Sequence, residues 1–250
     1  PEKIAGEKGG IIKAYVPVII GEAVGAVREV FADCASEVGT VIHFAEDAPQ
    51  YIECVNQDDM LLVQSVKYGD FKCELSGDCQ QKNINTVLTA VNELKALGVN
   101  ITAEDVANGY ANVCSLTNLM GRWMVLNKCN PRVICDTGHN IGGVTYIVKQ
   151  LEREHYNSLR MVLGFVSDKD VTKILSIMPK DAKYYYVKAE IPRAMECEEL
   201  AAVATSMGLN GVCCGSVVQG YATALEECVD GDLLFVGGST FVVADLLSSI

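Results

Sequence analysis

Five consecutive residues, Asp136-Thr-Gly-His-Asn140, carry the most concentrated chemistry in this chain. They follow the apolar run Arg132-Val-Ile-Cys135 and precede a Gly-Gly helix start. Ligands of open parallel sheets meet such strand-to-helix loops, where the next helix presents free N–H groups. A carboxylate there can accept hydrogen bonds from ribose hydroxyls, and a neighbouring His can stack on a base or bond a phosphate. The same residues also suit an Asx-type turn in which Asp136 and Asn140 cap the helix, and both readings stand. Upstream, Gly121-Arg122 pairs a small residue, which lets a ligand approach the backbone, with a planar cationic fork suited to phosphate; a surface Arg in a linker is the plainer reading. Gln80 and Asn83 open a helix, where their amides can face an adenine edge or simply cap. Lys8, in Glu-Lys-Gly-Gly, is by default a solvated charge. Buried beside a divalent metal, its neutral amine could take up carbon dioxide and present a carbamate oxygen to Mg2+.

The elements that must position these residues differ between the two halves. After Gly121 the apolar runs 132–135, 159–166, 184–187, 211–213 and 233–236 read as short buried strands. Helical stretches 143–155, 169–178, 196–207 and 217–228 alternate with them, and 241–247 closes the chain. That alternation predicts βαβ units and a doubly wound, mostly parallel α/β sheet. Before Gly121 the pattern is irregular. It begins with a short polar helix ending at Gly9-Gly10 and then a strand, and Pro17–Ile20 reads as a buried strand. Val24, Val27, Val30 and Phe31 share a helix side. Short strands are expected at 41–44 and 60–63, with some antiparallel pairing across 41–75. Val87 to Leu94 is helical up to a stop at Gly98, and Thr102-Ala-Glu-Asp105 is a capped helix start. The main boundary is expected near 115–121, dividing 1–117 from 118–250.

Composition excludes several classes. Twenty Lys and Arg against 32 Asp and Glu give a net charge of −12, the wrong sign for neutralising nucleic-acid phosphates. No apolar run reaches the roughly 20 residues of a membrane span. The eleven cysteines form no Cys-x-x-Cys pair. They read as reduced core thiols, Cys135, Cys213 and Cys214 among them, in a cytoplasmic protein. Adjacent Cys213 and Cys214 are the only redox pair the spacing suggests. The absence of Gly-x-Gly-x-x-Gly argues against a dinucleotide-binding oxidoreductase.

The order of these features is more specific than any one of them. EKGGIIK at 7–13, L-x-G-x-x-Q-x-x-N at 75–83, GR at 121–122 and DTGHN at 136–140 occur in succession. Ser167-Asp-Lys-Asp170, Pro192-Arg193-Ala194, Glu198-Glu-Leu200 and Gly238-Ser239 follow. The whole chain resembles the folylpolyglutamate synthase/dihydrofolate synthase family of Mur-type amide ligases. The resemblance implies an ATP- and Mg2+-dependent ligase that activates a folate or dihydropteroate carboxylate as an acyl phosphate and joins it to glutamate. It implies a carbamylated Lys8 supporting a second magnesium. It further implies Gln80 and Asn83 at adenine, Arg122 at phosphate, Asp136 at ribose and His139 beside the nucleotide. Small-molecule substrates and a monomer are expected, with neither nucleic acid nor membrane as partner. DTGHNIGG stands where DGAHNP is commoner. No Gly-x4-Gly-Lys-Ser/Thr phosphate loop occurs. The chain is therefore expected to be a C-terminal part, holding the remainder of an α/β ATPase domain and a complete C-terminal domain, and to be inactive alone. Another Mur-type amino-acid ligase and a non-catalytic nucleotide-binding domain are the alternatives.

Overall fold

In a computed structural model, which describes residues 2–168 and 170–250, the chain divides into two units. The first comprises Pro1–Glu74 and Cys79–Leu116; the second comprises Leu75–Asp78 and Thr117–Ile250.

The first unit is assembled from small pieces. Helix α1 (Glu2–Gly9) packs on α2 (Ala26–Glu37), and both cover a two-stranded parallel sheet of β1 (Val18–Ile20) and β2 (Ile42–Phe44). The apolar side of α2, Val27, Val30 and Phe31, joins Ala5, Ala23 and Ile20 in one small cluster. The expected strand directly after Gly10 does not form; the chain reaches β1 only at Val18. Strands β3 (Tyr51–Gln57), β4 (Met60–Ser65) and β5 (Asp70–Cys73) form an antiparallel meander. Asp58 and Asp59 turn the first hairpin with φ of 53° and 63°, a left-handed pair whose twist suits a two-residue loop. Helix α3 (Gln80–Ala96) is tied to the 45–50 loop by Asn85, which accepts from the Gln50 N–H at 2.7 Å and donates to the Ala45 carbonyl at 2.6 Å. Helix α4 (Ala103–Ala111) starts in a reciprocal capping box between Thr102 and Asp105, as the spacing predicts. A one-turn helix, α5 (Val113–Thr117), follows.

The second unit carries a six-stranded sheet. Its strands are β6 (Met124–Asn127), β7 (Arg132–Asp136), β8 (Leu159–Leu163), β9 (Lys183–Lys188), β10 (Gly211–Ser216) and β11 (Leu233–Gly237). Their spatial order is β10-β9-β8-β11-β7-β6, parallel except for the antiparallel edge β6. The period-two alternation of a strand divides its residues between two helical layers. Ile134, Met161, Leu163, Tyr184, Tyr186, Leu233 and Phe235 face α6 (Ile141–Leu151), α7 (Val171–Leu175) and α8 (Cys197–Ser206). Val133, Cys135, Val162, Tyr185, Val187, Leu234 and Val236 face α9 (Val217–Glu226) and α10 (Thr240–Leu247). This is the doubly wound arrangement, and both faces are covered as parallel sheets require. Helix α7 is shorter than the sequence suggests, and Lys169, where that helix was expected to start, lies outside the described residues. Val166, read as part of a strand, instead makes a single antiparallel bridge to Ala194.

The thiols correct the sequence reading. Cys135 is buried, but Cys213 is exposed and Cys214 half-buried, because β10 is the sheet edge and one side lacks a neighbouring strand. Cys213 pairs with Cys197, not with Cys214, in a disulfide whose Cα atoms are 5.5 Å apart.

Candidate functional site

At the carboxyl end of β7 the chain builds a rigid turn around one carboxylate. Asp136 is nine-tenths buried and accepts from the Gly138 N–H at 2.7 Å and from the Trp123 N–H at 2.6 Å. The Thr137 N–H donates to the Gly121 carbonyl at 2.9 Å, so residues 121–123 dock along 136–138. Gly121 is required there for shape. Its φ is +69°, and a Cβ would lie 2.8 Å from both Thr137 Cγ2 and Val243 Cγ1. The packed surroundings correct the idea that this glycine leaves its backbone open to a ligand. Trp123, also left-handed at φ 48°, is buried against Phe235, and its own N–H donates to Asp136.

Arg122, between these two buried anchors, is itself exposed. Burial pushes the Asp136 carboxyl above its ordinary value; the Gly138 and Trp123 N–H groups and the Arg122 charge oppose that push. Asn140 caps α6, accepting from the Gly143 N–H at 2.9 Å. The Asx turn and the cap are therefore both present, which leaves a ligand only the outer lone pairs of Asp136. Exposed His139 places Nδ1 3.1 Å from the Thr137 carbonyl. In the tautomer that pairs them Nδ1 carries the proton, which leaves Nε2 as the acceptor. Thr137 Oγ1 is buried and has no hydrogen-bond partner among the described residues. That hydroxyl leaves one polar atom of the turn still open to a hydrogen bond.

The neighbouring strand ends add a cation that the sequence reading quoted but gave no role. Ser167, beyond β8, donates through both N–H and Oγ to the Arg193 carbonyl, at 2.9 and 3.0 Å. The Arg193 guanidinium lies 5.0 Å from the Phe241 ring centroid and 4.0 Å from Asp168. Phe241 stands at the start of α10, whose N-cap Ser239 accepts from the Phe241 N–H at 3.1 Å. Gly238, with φ +91°, admits this turn because a Cβ would lie 2.8 Å from the Gly164 carbonyl. Arg122, Asp136, His139 and Arg193 thus lie at the carboxyl-end side of the parallel strands of one sheet.

Lys8, Gln80 and Asn83 belong to the first unit. Lys8 ends α1 and is exposed, so the burial that its carbamate reading invokes is not present in this unit. It borders an apolar recess of about 430 Å³ with Ile12, Ile20, Glu22 and Phe31. Glu22 is paired to Lys82. The Gln80 and Asn83 amides bond each other, Asn83 Nδ2 donating to Gln80 Oε1 at 2.9 Å, and Gln80 is buried. Among the described residues the one cluster of three potential metal ligands is Cys197, Glu198 and Cys213, not a hard-oxygen set.

The Mur ligase, glutamate ligase domain family matches residues 121–240, the span that contains Arg122, Asp136, His139 and Arg193. The chain is 27% identical over 251 residues to the dihydrofolate synthase/folylpolyglutamate synthase of Escherichia coli, covering 100% of this chain and 55% of that protein. Residues 121–240 thus match the Mur ligase, glutamate ligase domain, and the chain as a whole is similar to a dihydrofolate synthase/folylpolyglutamate synthase.

Its fold is like that of solved folylpolyglutamate synthase structures. The Mycobacterium tuberculosis folylpolyglutamate synthase complexed with ADP superposes with a TM-score of 0.85 at 24% identity, covering 98% of this chain and 58% of that one. The Yersinia pestis bifunctional folylpolyglutamate synthase/dihydrofolate synthase with Mn, AMPPNP and L-glutamate bound gives 0.76 at 21% identity, covering 99% and 56%. The chain thus spans little more than half the length of these proteins.

Proposed function

We propose that this chain is part of an ATP-dependent ligase that joins L-glutamate to the carboxylate of a folate or dihydropteroate through an acyl phosphate. Residues 1–117 are read as the C-terminal part of its central ATP-binding domain and 118–250 as its C-terminal domain. One observation carries the reading. The second unit ends β7 in a buried carboxylate, followed by a buried hydroxyl without a described partner and flanked by an exposed imidazole and an exposed guanidinium. A nucleotide offers matching partners, since ribose hydroxyls donate to Asp136, and phosphate oxygens accept from Arg122.

In this reading Asp136 holds the ribose. His139 orients the nucleotide, and Arg122 offsets charge on the phosphate that passes to the substrate carboxylate. Gln80 and Asn83 supply the adenine edge, for which their mutual bond must open. A divalent cation enters through the manganese named in the Yersinia pestis structure; when bound it would offset phosphate charge. Lys8, as its carbamate, is the one ligand this reading assigns to it among the described residues. A single donor is not a magnesium site, so the chain's residues do not by themselves fit the ion, and no step is routed through it. The ligase is read as a cytoplasmic monomer acting on small molecules; no described helix is long and apolar enough to cross a membrane.

Single substitutions in the full-length ligase test the assignment. Asp136→Ala should raise the KM for ATP with a smaller change in kcat, because a ribose contact is alike in ground and transition states. Arg122→Ala should lower kcat more, since its phosphate changes charge during transfer. His139→Ala should fall between them. Folded Asp136→Ala and Arg122→Ala enzymes that both keep the wild-type ATP KM and kcat in folate- and glutamate-dependent ADP release would remove the assignment.

A further inference from the structure

The Cys197–Cys213 pair has no part in the assignment above, and its surroundings are asymmetric. Cys197 is the first residue of α8 and is buried, whereas Cys213 lies on the edge strand β10 and is exposed. Sixteen positions separate them in sequence, yet their Cα atoms are 5.5 Å apart. Cys197 lines an open cavity of about 430 Å³ together with Lys188, Glu196, Glu198 and Ser216, and Cys213 lies outside that lining on the exposed edge strand. Glu198 Oε2 lies 3.5 Å from Cys197 Sγ, placed to accept a thiol proton. Lys188 pairs with Glu196, which neutralises the other carboxylate at this helix start. The alternative partner, Cys214, points its sulfur toward the Val212 carbonyl at 3.9 Å.

We propose that Cys197 and Cys213 are a thiol–disulfide exchange site for small thiols and disulfides of the glutathione class, and that the bond fixes the first turn of α8 to the edge strand. The exposed sulfur is the one an external molecule reaches, and the buried one resolves the mixed disulfide. In the oxidising direction the Cys213 thiol gives its proton to solvent, and its sulfur attacks the external disulfide. That S–S bond breaks and one external thiolate leaves, taking a proton from solvent. The Cys197 thiol then passes its proton to Glu198, and its sulfur attacks Cys213 Sγ. The mixed S–S bond breaks, and the second external thiolate leaves and is protonated. Two cysteine thiols are oxidised and one external disulfide is reduced to two thiols, with no other oxidant. A small dithiol or excess thiol reverses the sequence. A helix N-terminus favours the Cys197 thiolate as leaving group in that reverse step.

The test equilibrates the whole chain in glutathione buffers from fully reduced to fully oxidised, then alkylates free thiols and maps them by mass spectrometry. The expected result is a cross-linked 197/213 peptide pair, two hydrogens lighter than the reduced pair, that disappears in the reduced buffers. Hydrogen exchange across 189–200 should be slower in the oxidised chain than in the reduced one. Cys213→Ser should abolish both changes, and Cys214→Ser should leave both intact, with circular dichroism checking each fold. If Cys213→Ser does not fold, the wild-type peptide map decides alone. Alkylation of both cysteines at every buffer ratio, or cross-linking of either to Cys214 or Cys228, overturns the proposal. So does one equivalent of zinc held by the reduced chain through dialysis, with 197 and 213 then protected from oxidation.

Discussion

The two units solve the same problem with unequal means. In the second, every residue of β11 is buried, between two parallel neighbours and beneath helices on both faces. In the first, β1 and β2 are three residues each, none of them fully buried. Several large apolar side chains around them, Ile11, Tyr15, Val24 and Val41, are more than half exposed. Residue type is not the cause, since Val18-Ile-Ile20 is as apolar as Val133-Ile-Cys135. The difference is the number of layers packed on each strand, because apolar area stabilises only where it leaves water. It also bears on chemistry. A carboxylate can be held nine-tenths buried and aimed by two N–H groups only where the backbone around it is fixed, as at Asp136. Lys8, on a short helix beside a thin sheet, stays in solvent.

That contrast can be broken most directly in the two cores. Phe235→Ala, at the centre of the six-stranded sheet, should cost the second unit about 3–5 kcal/mol because the surrounding layers cannot collapse into the cavity. Phe31→Ala, in the small α1–α2 cluster, should cost about 2 kcal/mol, near the transfer value alone. Urea unfolding followed by hydrogen exchange in each unit reads both, and an inverted order would refute the layered argument.

Charge sharpens the comparison next. In the second unit, Arg160 pairs with Asp232, whose side chain is wholly buried and also accepts from the Val229 N–H at 3.0 Å. Arg160→Met should cost about 3 kcal/mol by leaving that carboxylate without its cation, and the double variant Arg160→Met/Asp232→Asn should recover most of the loss. In the first unit Arg28 faces Glu46 and Asp47 near the surface, where such pairs contribute little. Arg28→Met should leave the urea midpoint nearly unchanged.

The smallest effect is a cap in the first unit. Thr102→Ala should cost about 1 kcal/mol by removing half of the capping box at α4. The Thr102 N–H and hydroxyl hold the Asp105 carboxyl below its ordinary value of 3.8. A lowered carboxylate contributes stability that is present above its unfolded value and lost as the pH falls through the lower folded one. The cost of Thr102→Ala should therefore be constant at neutral pH and shrink on acidification below about pH 4. A penalty that grew with acid would contradict the capping geometry.

Much of the second unit was readable from residue order because its strands are continuous apolar runs and its helices carry local start signals. Ser216 with Gln219 forms a capping box, and Asn140 and Ser239 cap their helices, all within three residues of their partners. The antiparallel strands β3 and β5 were not individually legible, because mixed sequences such as Tyr51–Gln57 become strands only through their partners. The candidate site was half visible. Asp136, His139 and Arg122 stand out by type and position, and Arg193 stood in a quoted motif without a role. Thr137 became noticeable only through its buried, unpartnered hydroxyl.

The sequence by itself determined where the chain turns, which residues cap, and which runs must leave water, since these are settled by neighbours a few positions apart. Tertiary structure alone decided the rest. It set β11 between β7 and β8, although 69 and more residues separate them in sequence order. It brought the Trp123 N–H to Asp136 across 13 positions and Cys197 to Cys213 across 16, one on a helix and one on an edge strand. Each of these contacts depends on a distance between chain segments, and local residue preferences carry no information about that distance.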